Sequence, residues 1–211
     1  MNRTTITQHH SIGSAQIQAM DKRFRTQFIN SVVGYKGVHL VGTESNQGQR
    51  NLSIVSSVCH LGSNPPLLSL IIRPASVPRH TLQNIMDTGF YTLNHITQDT
   101  FKQAHQSSAR YDANISEFEA VGLEHSYHSG FLAPFVSRSP LQIGMALEEV
   151  IHLKCNNTQM VIGRIQHVNV KESAIGDDGY IDIDQLGSLC VSGLDSYHSA
   201  QQIARLPYAK T

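Results

Sequence analysis

Val38-His39-Leu40-Val41, Glu44-Ser45-Asn46-Gln47-Gly48 and Asn51-Leu52-Ser53-Ile54-Val55-Ser56-Ser57-Val58-Cys59 form the stretch that decides the fold. The first block is short, apolar and β-branched. The second is a cluster of turn formers, and the third resumes with Leu52, Ile54, Val55 and Val58. Two strand-like runs around a polar turn predict a β-hairpin, with strands over 38–41 and 51–59. Ser63-Asn64-Pro65-Pro66 then breaks the pattern. Leu67-Leu68-Ser69-Leu70-Ile71-Ile72 is apolar on both faces and predicts a fully buried strand.

Upstream of the hairpin, Ile17, Met20, Phe24, Phe28 and Val32 recur at spacings of three and four, so residues 17–32 predict one amphipathic helix lying across a core. Downstream, Pro74 and Pro78 make 73–80 an irregular loop, because proline cannot donate to a central ladder. Thr81 reads as the N-cap of a helix over 82–88 that turns Leu82, Ile85 and Met86 inward and ends at Gly89. Residues 90–94 predict a strand, 97–105 a helix, 107–119 a polar connection, and 140–151 and 160–170 two late strands. At least six strand segments, few helices and no βαβ alternation predict an antiparallel barrel with peripheral helices, mainly β and not a Rossmann fold. All 211 residues read as one domain, with 1–16 a flexible or peripheral extension.

Sixteen basic and 16 acidic side chains leave no net charge, and hydrophobic residues make up 40%. That balance is globular and carries no electrostatic footprint for nucleic acid or anionic lipid. A neutral surface also suits self-association. Cys59, Cys155 and Cys190 form no CxxC and no zinc spacing, and read as buried or half-buried free thiols in a reducing compartment. The first 19 residues lack an apolar core, and no apolar run nears the roughly 20 residues of a membrane span. The expectation is a soluble, cytoplasmic protein. Twelve histidines invite a metal, yet HExxH and compact His/Cys/carboxylate groupings are missing, so none is expected. GxSxG, Walker A and GxGxxG are missing too, and nothing marks Glu117 and Glu119 as an acid–base pair.

Four stretches have the composition of a ligand site, and each has an ordinary alternative. Asn51, Leu52, Ser53, Ile54, Val55, Ser56 and Ser57 make a strand whose small hydroxyl residues let a flat ring approach the backbone, or whose serines face water. Arg73, Ser76, Arg79, His80 and Thr81, with Asn84 one turn on, combine cations, hydroxyls and a helix start, as a phosphate monoester requires. The same residues also describe a solvated loop and a capped helix. Ser107 and Tyr111 lie in a polar loop that either closes over a ligand or is plain surface. Tyr197, within Ser192-Gly193-Leu194-Asp195-Ser196-Tyr197-His198, either covers a ring or belongs to a turn.

Taken in order, these stretches resemble the flavin-reductase-like, FMN-binding split-barrel family, which includes flavoredoxins and reductase components of two-component monooxygenases. The likeness runs from about Phe28 to His198. It rests on Leu40-Val41-Gly42-Thr43, Asn51-Leu52-Ser53 through Ser56, Ser63-Asn64-Pro65-Pro66-Leu67, Arg79-His80-Thr81-Leu82-Gln83-Asn84-Ile85, and Gly89 followed by Leu93-Asn94. Later come Glu117-Phe118-Glu119-Ala120-Val121-Gly122-Leu123, Ser139-Pro140 and Ile162-Gly163. Departures are Ile54 and Val55, where relatives often have a proline and an aromatic, and His80, where many have Lys or Asp.

The resemblance implies a six-stranded antiparallel Greek-key split barrel that dimerises with FMN near the subunit interface. It implies that residues 51–57 run along the flavin ring largely through backbone, that Ser76, Arg79, Thr81 and Asn84 hold the phosphate, and that Ser107, Tyr111 and Tyr197 border the ring. The implied activity is an NAD(P)H:flavin oxidoreductase passing hydride from nicotinamide to FMN and on to an acceptor, such as free flavin or a monooxygenase, with no side chain as general acid or base. The alternatives are an electron carrier reduced by a partner protein and a non-catalytic flavin-binding or sensing module.

Overall fold

The computed structural model describes residues 9–74, 80–112 and 114–210. Helices α1 (Ser14–Ala19) and α2 (Lys22–Val32) come first, then strands β1 (Lys36–Gly37), β2 (His39–Glu44), β3 (Arg50–Val55), β4 (Cys59–Ser63) and β5 (Pro66–Ile72). Next are α3 (His80–Thr88), β6 (Phe90–His95), α4 (Phe101–Gln106), α5 (Glu117–Val121), β7 (His125–Ser126) and β8 (Phe135–Val136). The long hairpin β9 (Leu141–Leu153) and β10 (Thr158–Val170) follows, then β11 (Leu189–Ser192) and β12 (Ser196–Ser199).

The main sheet is antiparallel throughout, in the order β3-β2-β6-β9-β10-β5-β4. It has seven strands where the resemblance implies six, because the expected strand over 51–59 is two strands on opposite edges. Residues 56–58 link those edges, so the span from Val55 to Cys59 is at most about 14 Å. The sheet therefore curls until its edges face one another, without a hydrogen-bonded ladder joining them. The Ser57 hydroxyl fastens this corner: its Oγ donates to the Ile71 carbonyl (3.1 Å) and accepts from the Ile71 N–H (3.0 Å).

The curl creates the principal core. Val41 of β2, Leu70 and Ile72 of β5, Leu93 of β6, Met145 of β9 and Val161 of β10 share one buried cluster. In a flat sheet β2 and β5 would stand about 19 Å apart at the usual strand spacing. Helix α3 plugs the mouth with Ile85, while Leu82 packs at the margin. A second core lies outside the β2–β3 edge, where Leu40, Leu52, Ala104, Phe118, Val136 and Val191 meet. Strand β2 is thus covered on both faces, and His39 through Thr43 are all buried.

Several expectations change. Met86 is exposed, since only one stripe of α3 reaches the core. Leu67, Leu68 and Ile71 are half-buried, because β5 lies next to the short edge strand β4. The predicted helix over 17–32 is two helices, broken where the Asp21 carboxylate caps α2 by accepting from the Arg23 N–H (2.8 Å) and the Phe24 N–H (3.3 Å). Neither helix buries a residue, so neither lies across the core of its own chain. Cys59 and Cys155 are exposed, and only Cys190 is half-buried. Among the described residues, no helix is long and apolar enough to cross a membrane, and no three His, Cys, Asp or Glu side chains group as metal ligands.

Candidate functional site

Side chains alternate along a strand, so β3 divides its residues between two surfaces. Leu52 and Ile54 turn to the outer core beside Phe118 and Ala104. Asn51 and Ser53 turn toward the first turn of α3. There the Thr81 hydroxyl donates to Ser53 Oγ (2.9 Å) and accepts from Asn51 Nδ2 (2.9 Å). Asn84 is buried one turn further on, its Nδ2 donating to Thr43 Oγ1 (3.1 Å). Thr81 is therefore a bridge between α3 and β3 rather than the N-cap.

A cavity of about 190 Å³ opens where these elements meet, lined by Ser45, Gln49, Arg50, Asn51, His80, Asn84 and Ile115. Whole small-molecule ligands occupy roughly 300–1,000 Å³, so this space suits one end of a nucleotide. Arg50 is the main cation on its wall. Its Nη2 lies 3.3 Å from Glu119 Oε1, whereas its Nε is buried without a partner. An orphaned guanidinium N–H beside a helix start, three amide side chains, a serine and a histidine is a donor-rich wall, as a phosphate requires. The residues present fit that group.

Below the cavity, α5 holds the free edge of β3. The Leu52 N–H donates to Glu117 Oε2 (2.9 Å), and burial pushes the Glu117 carboxyl above its usual range, against the opposing pull of that N–H and of His80. An antiparallel ladder repeats every two residues. The N–H of Ile54 therefore also points away from β2.

The four stretches fall into two groups. Asn51, His80 and Asn84 line the cavity, and Ser53 and Thr81 are tied to it by hydrogen bonds. Ser76 and Arg79 lie outside the described residues, and Arg73 is exposed just before them. Ser107, Tyr111 and Tyr197 gather around α4 instead. Ser107 Oγ donates to the Ala104 carbonyl (2.7 Å), and Tyr111 Oη accepts from Gln106 Nε2 (3.1 Å). Tyr197 Oη shares a hydrogen bond with His105 Nδ1 (3.0 Å), and its ring packs with Ile54 on the outer core. Ser56 stands half-buried at the corner after β3, and Val55 packs into the principal core.

Sequence reasoning missed Ser45, Gln49, Arg50 and Ile115. The available signal was the position of Arg50, next to Asn51 at the end of a hairpin whose turn carries Ser45 and Gln49. A wider hollow of about 750 Å³ lies between 97–99, Arg138, 184–188 and 199–200. Asp99 and Asp184 share its wall with Arg138, which makes it a poorer place for a dianion than the first cavity.

The flavin reductase like domain family matches over residues 35–184. Among solved structures, a candidate flavin reductase with a split barrel domain from Shewanella frigidimarina NCIMB 400 is 50% identical; the match covers 95% of this chain and 100% of that one, with a TM-score of 0.92. Nitrilotriacetate monooxygenase component B from Bacillus cereus is 19% identical over 95% of this chain and 100% of its own, with a TM-score of 0.82. The flavoredoxin of Desulfovibrio vulgaris (Miyazaki F) is 23% identical over 83% and 92%, with a TM-score of 0.72. These two likenesses concern fold alone. No curated protein matches the sequence.

Proposed function

Because the chain belongs to the flavin reductase like domain family, we propose that it binds FMN as a single-domain homodimer and works in the cytoplasm as an NAD(P)H-dependent flavin reductase. The observation that carries this reading is the cavity at the start of α3, where Arg50 Nε is buried without a partner. Arg50, His80 and Asn84, with the first N–H groups of α3 and with Ser76 and Arg79 just before it in sequence, would hold the phosphate. Thr81 positions this set by joining α3 to β3.

The Ile54 N–H is the donor that β3 has left to offer the ring, since Glu117 already takes the Leu52 N–H. Asn51, Leu52, Ser53, Val55, Ser56 and Ser57 flank that donor along the strand and its corner. Ser107, Tyr111 and Tyr197 would border the ring from the α4 side. Bound FMN would supply the redox chemistry, taking hydride equivalents from NAD(P)H and delivering electrons to an acceptor, free flavin or a monooxygenase partner. The protein's part is to bind, orient and offer hydrogen bonds, so no side chain is assigned acid–base work.

The visible spectrum of the purified protein, taken before and after anaerobic NADH and then NADPH, tests this. A flavin spectrum that bleaches is the expected result. A spectrum that persists with both nucleotides yet bleaches with dithionite would move the reading to an electron carrier or sensor. A protein that takes up no added FMN would end it.

The phosphate assignment has its own expectation. Arg50→Ala and Arg79→Ala should each weaken FMN binding by about 1.5–3 kcal/mol, the worth of a hydrogen bond to a charged group, and barely change riboflavin binding. Equal losses for both flavins in a fluorescence titration would show that these cations do not meet the phosphate.

A further inference from the structure

Two segments of this chain leave large apolar side chains uncovered within it. Helix α2 buries no residue, and Phe24, Val32, Val33 and Tyr35 along it and just after it are each 61–71% exposed. Isolated helices shorter than roughly 12–15 residues are marginal in water, and the Asp21 cap adds only about 1 kcal/mol. Something must cover the apolar face of α2. The other segment is the C-terminal arm, residues 200–210, which has no regular secondary structure. Ile203, Leu206 and Tyr208 stand 86–101% exposed along it.

The arm does not run toward its own α2. The turn of the β11–β12 hairpin lies on the α2 side, where Lys36 Nζ donates to the Gly193 carbonyl (3.0 Å) and to the Asn30 carbonyl (3.3 Å). The arm leaves from the other end of β12. Its root is then held on the far side: the Gln202 N–H donates to Asp184 Oδ2 (2.5 Å) and Tyr180 Oη donates to Gln202 Oε1 (3.1 Å). Arg205 pairs with Asp178 (2.5 Å) and lies 4.1 Å over the Tyr180 ring.

We propose that the C-terminal arm crosses to a second copy of this chain and packs Ile203, Leu206 and Tyr208 on the apolar face of that copy's α2, each copy covering the other. A second copy is the occupant that brings arm and face in equal number, and a two-fold pair closes both contacts at once. The areas are sufficient. An aromatic side chain buries about 150–250 Å², so Phe24, Tyr35 and Tyr208 at their exposures offer roughly 300–500 Å² per chain. The pair doubles this, and with the aliphatic residues it reaches the roughly 1,000 Å² of a specific interface. Beyond its anchor at Arg205 the arm spans up to about 17 Å when extended. The inference rests on the two-chain assembly proposed above, and not on flavin binding.

Sedimentation equilibrium of the full chain and of the triple variant Ile203→Ser, Leu206→Ser, Tyr208→Ser tests it. The dimer dissociation constant should rise at least about a hundredfold, since six buried side chains are lost per pair. A dimer of unchanged affinity overturns the arm exchange and leaves the assembly standing, whereas a monomeric full chain overturns both. Cross-linking checks the route with a near-native chain lacking its cysteines (Cys59→Ser, Cys155→Ser, Cys190→Ser). Copies carrying only Val32→Cys are mixed with copies carrying only Leu206→Cys and treated with a flexible bis-maleimide. Linked pairs in the mixture support the exchange. Linkage confined to single chains carrying both substitutions means the arm folds back on its own α2, and the proposal fails.

Discussion

Between pH 7.5 and pH 5 the flavin-free protein is expected to lose about 4 kcal/mol of folding stability through two histidines, His39 and His95. They are cross-strand partners on β2 and β6, and their rings meet edge to face with centroids 4.8 Å apart. Burial holds both in the neutral form: it lowers His39 to about 3, with a further contribution from His95, and His95 itself to about 4. An unfolded histidine takes up its proton near pH 6.5. Across the interval from about 6.5 down to about 4 the unfolded chain binds more protons than the folded one, so stability falls as pH falls. At pH 5 each histidine accounts for about 2 kcal/mol, a large share of an ordinary domain's 5–15 kcal/mol. Glu117 acts in the opposite sense, because a carboxyl raised by burial favours the folded chain on the acid side. The depressed carboxyls of Asp21, Glu148 and Asp178 act in the same sense as the histidines, but only as pH falls below about 5.

Urea unfolding at pH 7.5, 6 and 5 measures this loss. His39→Phe separates the two groups, for it keeps a ring against His95 and removes Nδ1, which is buried with no hydrogen-bond partner. The variant should be at least as stable as the parent at pH 7.5 and show about half the acid loss. A pH profile identical to the parent's would mean that His39 is not a buried neutral histidine.

Gly42→Ala is expected to destabilise the protein by about 3 kcal/mol, the sum of overpacking and one compromised buried hydrogen bond. A methyl group on Gly42 would stand 2.2 Å from the Pro134 carbonyl oxygen and 2.6 Å from Thr92 Oγ1. Those two atoms are bonded to each other, Thr92 Oγ1 donating to Pro134 O at 2.7 Å, and both residues are buried. Neither can step aside alone. The backbone oxygen belongs to the segment before β8, which presses against β2, and Asn94 Nδ2 adds a hydrogen bond to Thr92 Oγ1 (2.8 Å). Thermal or urea unfolding gives the value, and a change below about 0.5 kcal/mol would show that the segment before β8 yields freely. Thr43, the next residue, anchors Asn84. The variant should therefore also loosen the cavity wall at α3.

Local pattern carried much of this reading. The hairpin around Glu44–Gly48, the late strand pair, the helix after His80 and the turn at Gly89 all follow from alternation, turn chemistry and the positive φ of 76° that Gly89 adopts. Such signals live within a few residues of chain, where sterics and backbone hydrogen bonding set the outcome. Errors arose where a neighbour distant in sequence decides. The run from Asn51 to Cys59 is uniformly β-prone, and it divides only because the curled sheet needs its two edges in adjacent stretches of chain. The 17–32 period is genuine, yet its apolar face meets nothing in the same chain.

The candidate site divides the same way. From sequence alone His80, Thr81 and Asn84 read as donors for a phosphate and Asn51 as part of the strand along a flat ring, since donor chemistry belongs to residue type and to a helix start. Tertiary structure alone decided that Arg50 joins them, that Thr81 bridges to Ser53 instead of capping, and that Tyr197 stands with His105 at α4. Those outcomes depend on how far the sheet curls and which strand faces meet. That is fixed by burial across the whole sheet, a long-range term with no trace in any short stretch of chain.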